Sequence, residues 1–113
     1  MKAAARFLVI IALATSAAGA AAQNGQQGPD STNEFKAADM SMMKNMNSAP
    51  YSGDVDVDFR THMIPHHEGA IAMAKVALKY ASDAETKKMA QNIIDEQEKQ
   101  VADMQAWLKQ NGH

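Results

Sequence analysis

Three stretches of the chain carry apolar residues at helical spacing, and polar punctuation separates them. From Ser31 to about Asn47, Phe35, Ala38, Met42 and Met46 fall on one face of a predicted first helix. Ser31-Thr32-Asn33-Glu34 has the form of a capping box, with the serine hydroxyl serving one backbone N–H and the glutamate reaching back from three residues on. The segment from Ser48 to Asp54, broken by Pro50 and Gly53, reads as a connection. Asp54 is placed to cap a second helix from about Val55 to Tyr80, with Asp56 and Asp58 in its first turn, where acids favour the positive end of the dipole. Pro65 has no N–H to offer Thr61, so this helix is expected to kink or restart there. Ser82-Asp83-Ala84-Glu85 reads as another capping box at a tight turn. A third helix then runs to about Asn111, with Gly112 at the position that favours a left-handed stop. Its inward stripe is Ala90, Ile93, Gln97, Val101, Met104 and Leu108, with Trp107 at the margin. Short connections force neighbouring helices antiparallel, so the pattern predicts an all-α fold, a small antiparallel bundle of three main helices.

The segment ahead of these helices has a different pattern. Lys2 and Arg6 precede the apolar run Phe7–Ala14, and Ala20-Ala21-Ala22 forms a small-residue cleavage site, so residues 1–22 read as a secretory signal peptide. The run is shorter than the roughly 20 residues a spanning helix needs, which makes an uncleaved anchor the weaker reading. Residues 23–30, polar with two glycines and a proline, read as a flexible leader, and residues 31–113 as the folded domain. The expected location is the bacterial periplasm, with no membrane association after cleavage. Without Lys2 and Arg6 the remaining nine cations face all 13 acids, and the net charge moves from −2 to −4. An acidic chain with no basic run is a poor partner for nucleic acid, whose binding depends on phosphate neutralisation.

There is no cysteine, so neither a disulfide nor a thiolate metal site is available. Ninety-one residues build a thin core, which makes a homo-oligomer an expectation from size. The chemistry concentrates in His62-Met63-Ile64-Pro65-His66-His67-Glu68-Gly69-Ala70-Ile71-Ala72-Met73, which holds three of the four histidines and two of the nine methionines. At about 100° per residue, His62, His66 and Met73 fall within roughly 40° of one another, with Met63 and His67 continuing the arc. Four of the seven residues from Met40 to Met46 are methionine, more than core filling by Leu or Ile would use. Gln97 lies mid-stripe, and an unpartnered buried amide costs about 1–3 kcal/mol. It is therefore expected to meet a histidine N–H of the second helix and fix that ring's tautomer.

Elimination narrows the metal. Asp54-x-Asp56-x-Asp58 resembles the start of a calcium loop, but Phe59 and Pro65 occupy the positions of its turn glycine and bidentate glutamate. No glutamate has a histidine three residues on, as a di-iron bundle requires, and His67-Glu68 does not continue into a zincin motif. Histidine with methionine and without cysteine suits copper, thioether and imidazole for Cu(I) and imidazole with oxygen or nitrogen for Cu(II). Zinc on the histidines is the closest rival. The weaker metal candidates are His62, which lies before the proline, and Met42.

Asp56-x-Asp58-Phe59-x-x-x-Met63-Ile64-Pro65-His66-His67-x-x-Ala70-Ile71-x-Met73-Ala74, followed by Ile93-Ile94-x-x-Gln97-x-x-x-Val101-x-x-Met104-x-x-Trp107-Leu108, resembles the CopM-like family of exported copper-binding proteins. The similarity runs from about Phe35 to Leu108. It implies a ferritin-like helical bundle, with Met40, Met43, Met46, Met63, His66, His67, Met73 and Met104 as the copper-related positions. One departure is Gln100, where the family often has Glu. The expected function is periplasmic copper binding through Met and His for sequestration, resistance or trafficking, with copper ions and a copper-trafficking protein as partners. The competing readings are a metal-independent helical interaction module and a zinc-binding protein. No set of catalytic acids is present, so an enzyme is not expected, and copper or iron redox chemistry is the lesser alternative.

Overall fold

In the computed structural model, which describes residues 28–113, three helices follow one another: α1 (Pro29–Ser48), α2 (Val55–Tyr80) and α3 (Ala84–Gln110). No strand occurs among the described residues. The expected signal peptide, residues 1–22, and all but the last three residues of the expected leader lie outside them.

Helix α1 begins three residues earlier than the capping-box reading predicts. Gly28, at φ 90°, is the N-cap and Pro29 the first helical residue. Proline suits that position, because its missing N–H is one the helix leaves unpaired anyway. Ser31 does not cap forwards. Its hydroxyl reaches back, donating to the Gly28 carbonyl at 3.0 Å and accepting from the Gly28 N–H at 3.2 Å. Glu34, expected to close the box, is drawn instead to the far end of α2, where it accepts from Lys79 Nζ at 2.5 Å and Tyr80 OH at 2.6 Å.

Helix α2 is capped as predicted: the Asp54 carboxylate accepts from the N–H groups of Asp56 at 2.9 Å and Val57 at 3.3 Å. Asp58 does more than favour the dipole. It ties down the preceding connection, accepting from Ser52 N at 2.7 Å, Ser52 Oγ at 2.8 Å and Gly53 N at 3.0 Å. The helix does not restart at Pro65, which is buried inside it. An interior proline costs about 3 kcal/mol in lost hydrogen bonding and ring clash. Here it lies in the α1–α2 seam, where with Ser41, Met42 and Asn45 of α1 it lines a small gap. Helix α3 is capped by Asp83 rather than Ser82, the carboxylate accepting from Thr86 N and Thr86 Oγ1, both at 2.8 Å. It ends as predicted. Gly112 at φ 83° donates to the Lys109 carbonyl and His113 N–H returns to the Leu108 carbonyl at 2.9 Å, the paired bonds of a left-handed stop.

Both outer helices pack on α2. The pairings run antiparallel, Glu34 with Lys79 and Met42 with Gly69 on one side, His67 with Gln100 and Arg60 with Trp107 on the other. The core is built from alanine and branched aliphatic residues: Ala74, Ala90 and Ile94 form its centre, with Ile71, Ala77, Leu78 and Ile93 packed around it. Ile94 lies outside the predicted stripe yet is buried. The half-buried face of α1 contains Phe35, Ala38, Met42 and Met46, as the sequence pattern predicts, but no residue of α1 is fully buried.

Candidate metal centre

The α2–α3 antiparallel pairing places the first half of α2 beside the last half of α3, and there the two helices enclose an open cleft of about 320 Å³. Phe59, Met63 and His67 line it from α2, spaced by one helical turn each, and Gln100, Asp103 and Met104 line it from α3. Of the sequence-predicted ligands, the structure brings together Met63, His67 and Met104. All three are half-buried.

His67 is held at both ring nitrogens. Nδ1 lies 2.9 Å from the Met63 carbonyl oxygen, and Nε2 lies 2.7 Å from Gln100 Oε1. A carbonyl can only accept, so Nδ1 carries a proton, and in the neutral ring Nε2 is the lone-pair nitrogen. With the amide oxygen towards Nε2, the pairing is that of a doubly protonated ring. Turned end for end, the same amide donates to the neutral ring. The expected partner Gln97 is therefore replaced by Gln100. Gln97 lies one turn earlier on α3, and Gln100 is the side chain that meets the ring.

The remaining predicted ligands lie elsewhere. His66 is exposed, its ring edge-on to that of His67 with centroids 6.1 Å apart. His62 serves the α1–α2 connection: Nε2 donates to the Pro50 carbonyl at 3.2 Å and its ring stacks on Tyr51 at 4.1 Å. Met73 is 37% exposed and lines a separate apolar groove with Met89, Ala90 and Ile93. Angular closeness on the wheel does not bring His62, His66 and Met73 together, because 11 residues at 1.5 Å each separate the first and last by about 16 Å along the axis. Met40 and Met43 are 73% and 59% exposed on α1, Met46 is half-buried, and none of them lines the cleft. Met42 is packing, seated against Gly69.

Gln100, Asp103 and Phe59 are the lining residues that sequence reasoning did not select. Gln100, Asp103, Met104 and Trp107 share one face of α3 by their spacing of three and four, which is the signal that was available. Asp103 is the one carboxylate in the lining, and Lys99 Nζ lies 3.1 Å from its Oδ2. Among the described residues no three His, Cys, Asp or Glu side chains gather as a metal-binding group. The cleft thus offers two thioethers, one imidazole and a lysine-paired carboxylate. That set matches a soft cation better than zinc, whose sites draw on three or four Cys, His or carboxylate ligands.

The sequence profile of a family described as a domain of unknown function (DUF305) matches residues 11–108. No curated protein matches the chain.

Proposed function

The chain belongs to the DUF305 family, and from the donor set of the α2–α3 cleft and the character of the N-terminal segment we propose that it is an exported copper-binding protein that holds Cu(I). The observation that carries this reading is the meeting of Met63, His67 and Met104 in one cleft, with His67 Nδ1 engaged by the Met63 carbonyl so that Nε2 is the nitrogen turned towards α3. A ring fixed through one nitrogen by a backbone carbonyl is the arrangement in which histidine presents the other to a metal. Neutral thioethers bind Cu(I) without losing a proton, and no thiol is needed. The exposed Met40 and Met43, with Met46, supply a second, weaker site on α1. The charged start, apolar run and Ala20-Ala21-Ala22 of the N-terminal segment support a periplasmic role in sequestration, resistance or delivery to a trafficking partner.

One observation favours the metal-independent helical module: His62 and His67 both have hydrogen-bond partners within the chain. The two readings part in one experiment. The protein expressed from the full-length chain is titrated with Cu(I) against a competing chelator and with Zn(II), alongside Met63→Leu/Met104→Leu and His67→Ala. Copper binding predicts Cu(I) uptake that falls in both variants, with Zn(II) held more weakly. Uptake unchanged in both, accompanied by a lower melting temperature in His67→Ala, is the outcome of the module reading.

A further inference from the structure

We propose that Gln100 sets which cations the cleft accepts, its neutral amide standing where a carboxylate would complete a site for divalent metals. The inference rests on the reading of the cleft as a soft-metal site and names what gives that site its selectivity.

The Gln100 amide lies 2.7 Å from His67 Nε2, so this side chain occupies the direction from which a cation would approach that nitrogen. Any cation bound by Nε2 must displace the amide or be bound beside it. Asp103 follows three residues later on the same face of α3 and lines the same cleft. His67, position 100 and Asp103 therefore line one cleft from two helices, and two of the three are groups that bind zinc or Cu(II). With an amide at position 100 the count of strong divalent ligands stops at two. A carboxylate there would make three, the number that zinc sites of the catalytic type use.

Charge points the same way. A divalent cation in a half-buried cleft needs anionic ligands to offset its desolvation, whereas a monovalent ion needs less. The cleft has one anion, and Lys99 lies 3.1 Å from it. Both side chains of that pair are largely exposed, so the pair is weak and does little by itself to keep Asp103 from a cation. The neutral residue at 100 is the larger obstacle. The two thioethers of Met63 and Met104 do not compensate for hard cations, but they serve Cu(I) and Ag(I). Gln100 is thus a specificity-determining residue: it keeps the ring oriented when no ion is bound, yields Nε2 to a soft monovalent ion, and denies divalent ions their third anionic or imidazole donor.

The test compares Gln100→Glu, Lys99→Ala and the wild-type protein, all expressed from the full-length chain, each titrated with Zn(II) alone and with Cu(I) against a competing chelator, and each checked for helical content by circular dichroism. Position 100 is exposed on a helix, and glutamate matches glutamine in helix propensity, so the variant folds. Gln100→Glu is expected to raise Zn(II) affinity by about tenfold to a hundredfold, the range over which groups touching a ligand change metal affinity. Cu(I) affinity is expected to change far less, and Lys99→Ala to raise Zn(II) affinity less than Gln100→Glu does. Zn(II) affinity unchanged in Gln100→Glu, or raised as much in Lys99→Ala, overturns the role of Gln100. A wild-type protein that takes up no Cu(I) removes the soft-metal reading and this inference with it. Wild-type Cu(I) uptake combined with unchanged Zn(II) affinity in Gln100→Glu removes this inference alone.

Discussion

Met42 of α1 occupies the space that a side chain at Gly69 of α2 would need. A Cβ built on Gly69 would come within 2.5 Å of Met42 Cγ and 2.8 Å of Met42 Cβ, and it would overlap the sulfur as well. Gly69 is buried at normal helical geometry, so close approach, not an unusual backbone angle, is what requires glycine here. The methionine is therefore part of the α1–α2 seam, which otherwise leaves a gap of only about 90 Å³.

Two effects of opposite sign act on Gly69→Ala. Alanine gains about 1 kcal/mol over glycine in a helix interior, while overpacking costs about 1–3 kcal/mol. The atoms in the way include Met42 Cβ, which cannot swing aside without moving α1, so the clash wins. Chemical denaturation should show Gly69→Ala less stable than wild type by up to about 2 kcal/mol. In a Met42→Ala background, where only the contact with the residue 42 Cβ remains, the same substitution should cost less. A stabilising Gly69→Ala in the otherwise wild-type chain would mean that α1 is not held against Gly69.

The carboxylates give the pH dependence of stability. Hydrogen bonds from Lys79 and then Tyr80 hold Glu34 below its ordinary value. The Ser52 N–H and hydroxyl do the same for Asp58, and the Thr86 hydroxyl and N–H for Asp83. Each folded value lies below the unfolded one, so the stabilisation is complete above the ordinary carboxylate range of about 4 and is lost as pH falls through the folded values. The Glu34 bond raises Lys79, whose contribution is present below the ordinary lysine value of about 10.4 and lost as pH rises through the folded one. Melting temperature should thus be flat through neutrality and fall at both extremes. Glu34→Gln should shrink the fall at both ends, and Asp58→Asn should shrink the acid limb alone. An acid limb of unchanged steepness in Asp58→Asn would remove the connection's carboxylate from the account.

Where a single residue type has one local use, the sequence was legible. Asp54 before an amphipathic run and Gly112 after one gave the start of α2 and the stop of α3, and both stand. Local readings failed where a long-range partner competes. Glu34 fits its own helix cap by spacing, but a lysine and a tyrosine 45 and 46 residues away offer a charged partner and a second donor. Gln97 and Gln100 differ by one turn, and which of them meets His67 depends on the rotation of α3 about its axis, which the hydrophobic stripe fixes only loosely. The same looseness hid Ile94 in the core. His62 looked like a ligand by type and angle, yet a free carbonyl at Pro50 and the Tyr51 ring were nearer.

The histidines should separate in metal binding. His67 lines the cleft with Met63 and Met104, whereas His66 is exposed beside it and Met73 lies in the groove with Met89. Cu(I) titration against a chelator should show His67→Ala weakened by more than about tenfold, or 1.4 kcal/mol. His66→Ala and Met73→Leu should lie within about threefold of wild type, less than 0.7 kcal/mol. Equal losses in His66→Ala and His67→Ala would place the metal between the two rings and outside the cleft.

Trp107 reports on the end of the same helix pair that lies away from the turn between α2 and α3. The Arg60 guanidinium sits 3.9 Å above its ring and is steadied by donating from Nη1 to the Asp56 carbonyl at 2.8 Å. Cation–π contacts at partly exposed sites contribute about 0.5–1 kcal/mol. Arg60→Met, which keeps an apolar stem over the ring and removes the charge, should therefore cost about that much, and Arg60→Lys should cost less. Trp107 is the only tryptophan in the chain, so its emission follows the contact directly. Uncovering the half-buried ring should shift the emission to longer wavelength in Arg60→Ala. Met104 lies one turn before Trp107 on α3 and lines the cleft. Copper bound there should quench the emission in wild type and leave it nearly unchanged in Met63→Leu/Met104→Leu. Quenching that persists in the double variant would move the ion off the α2–α3 cleft and towards the exposed methionines of α1.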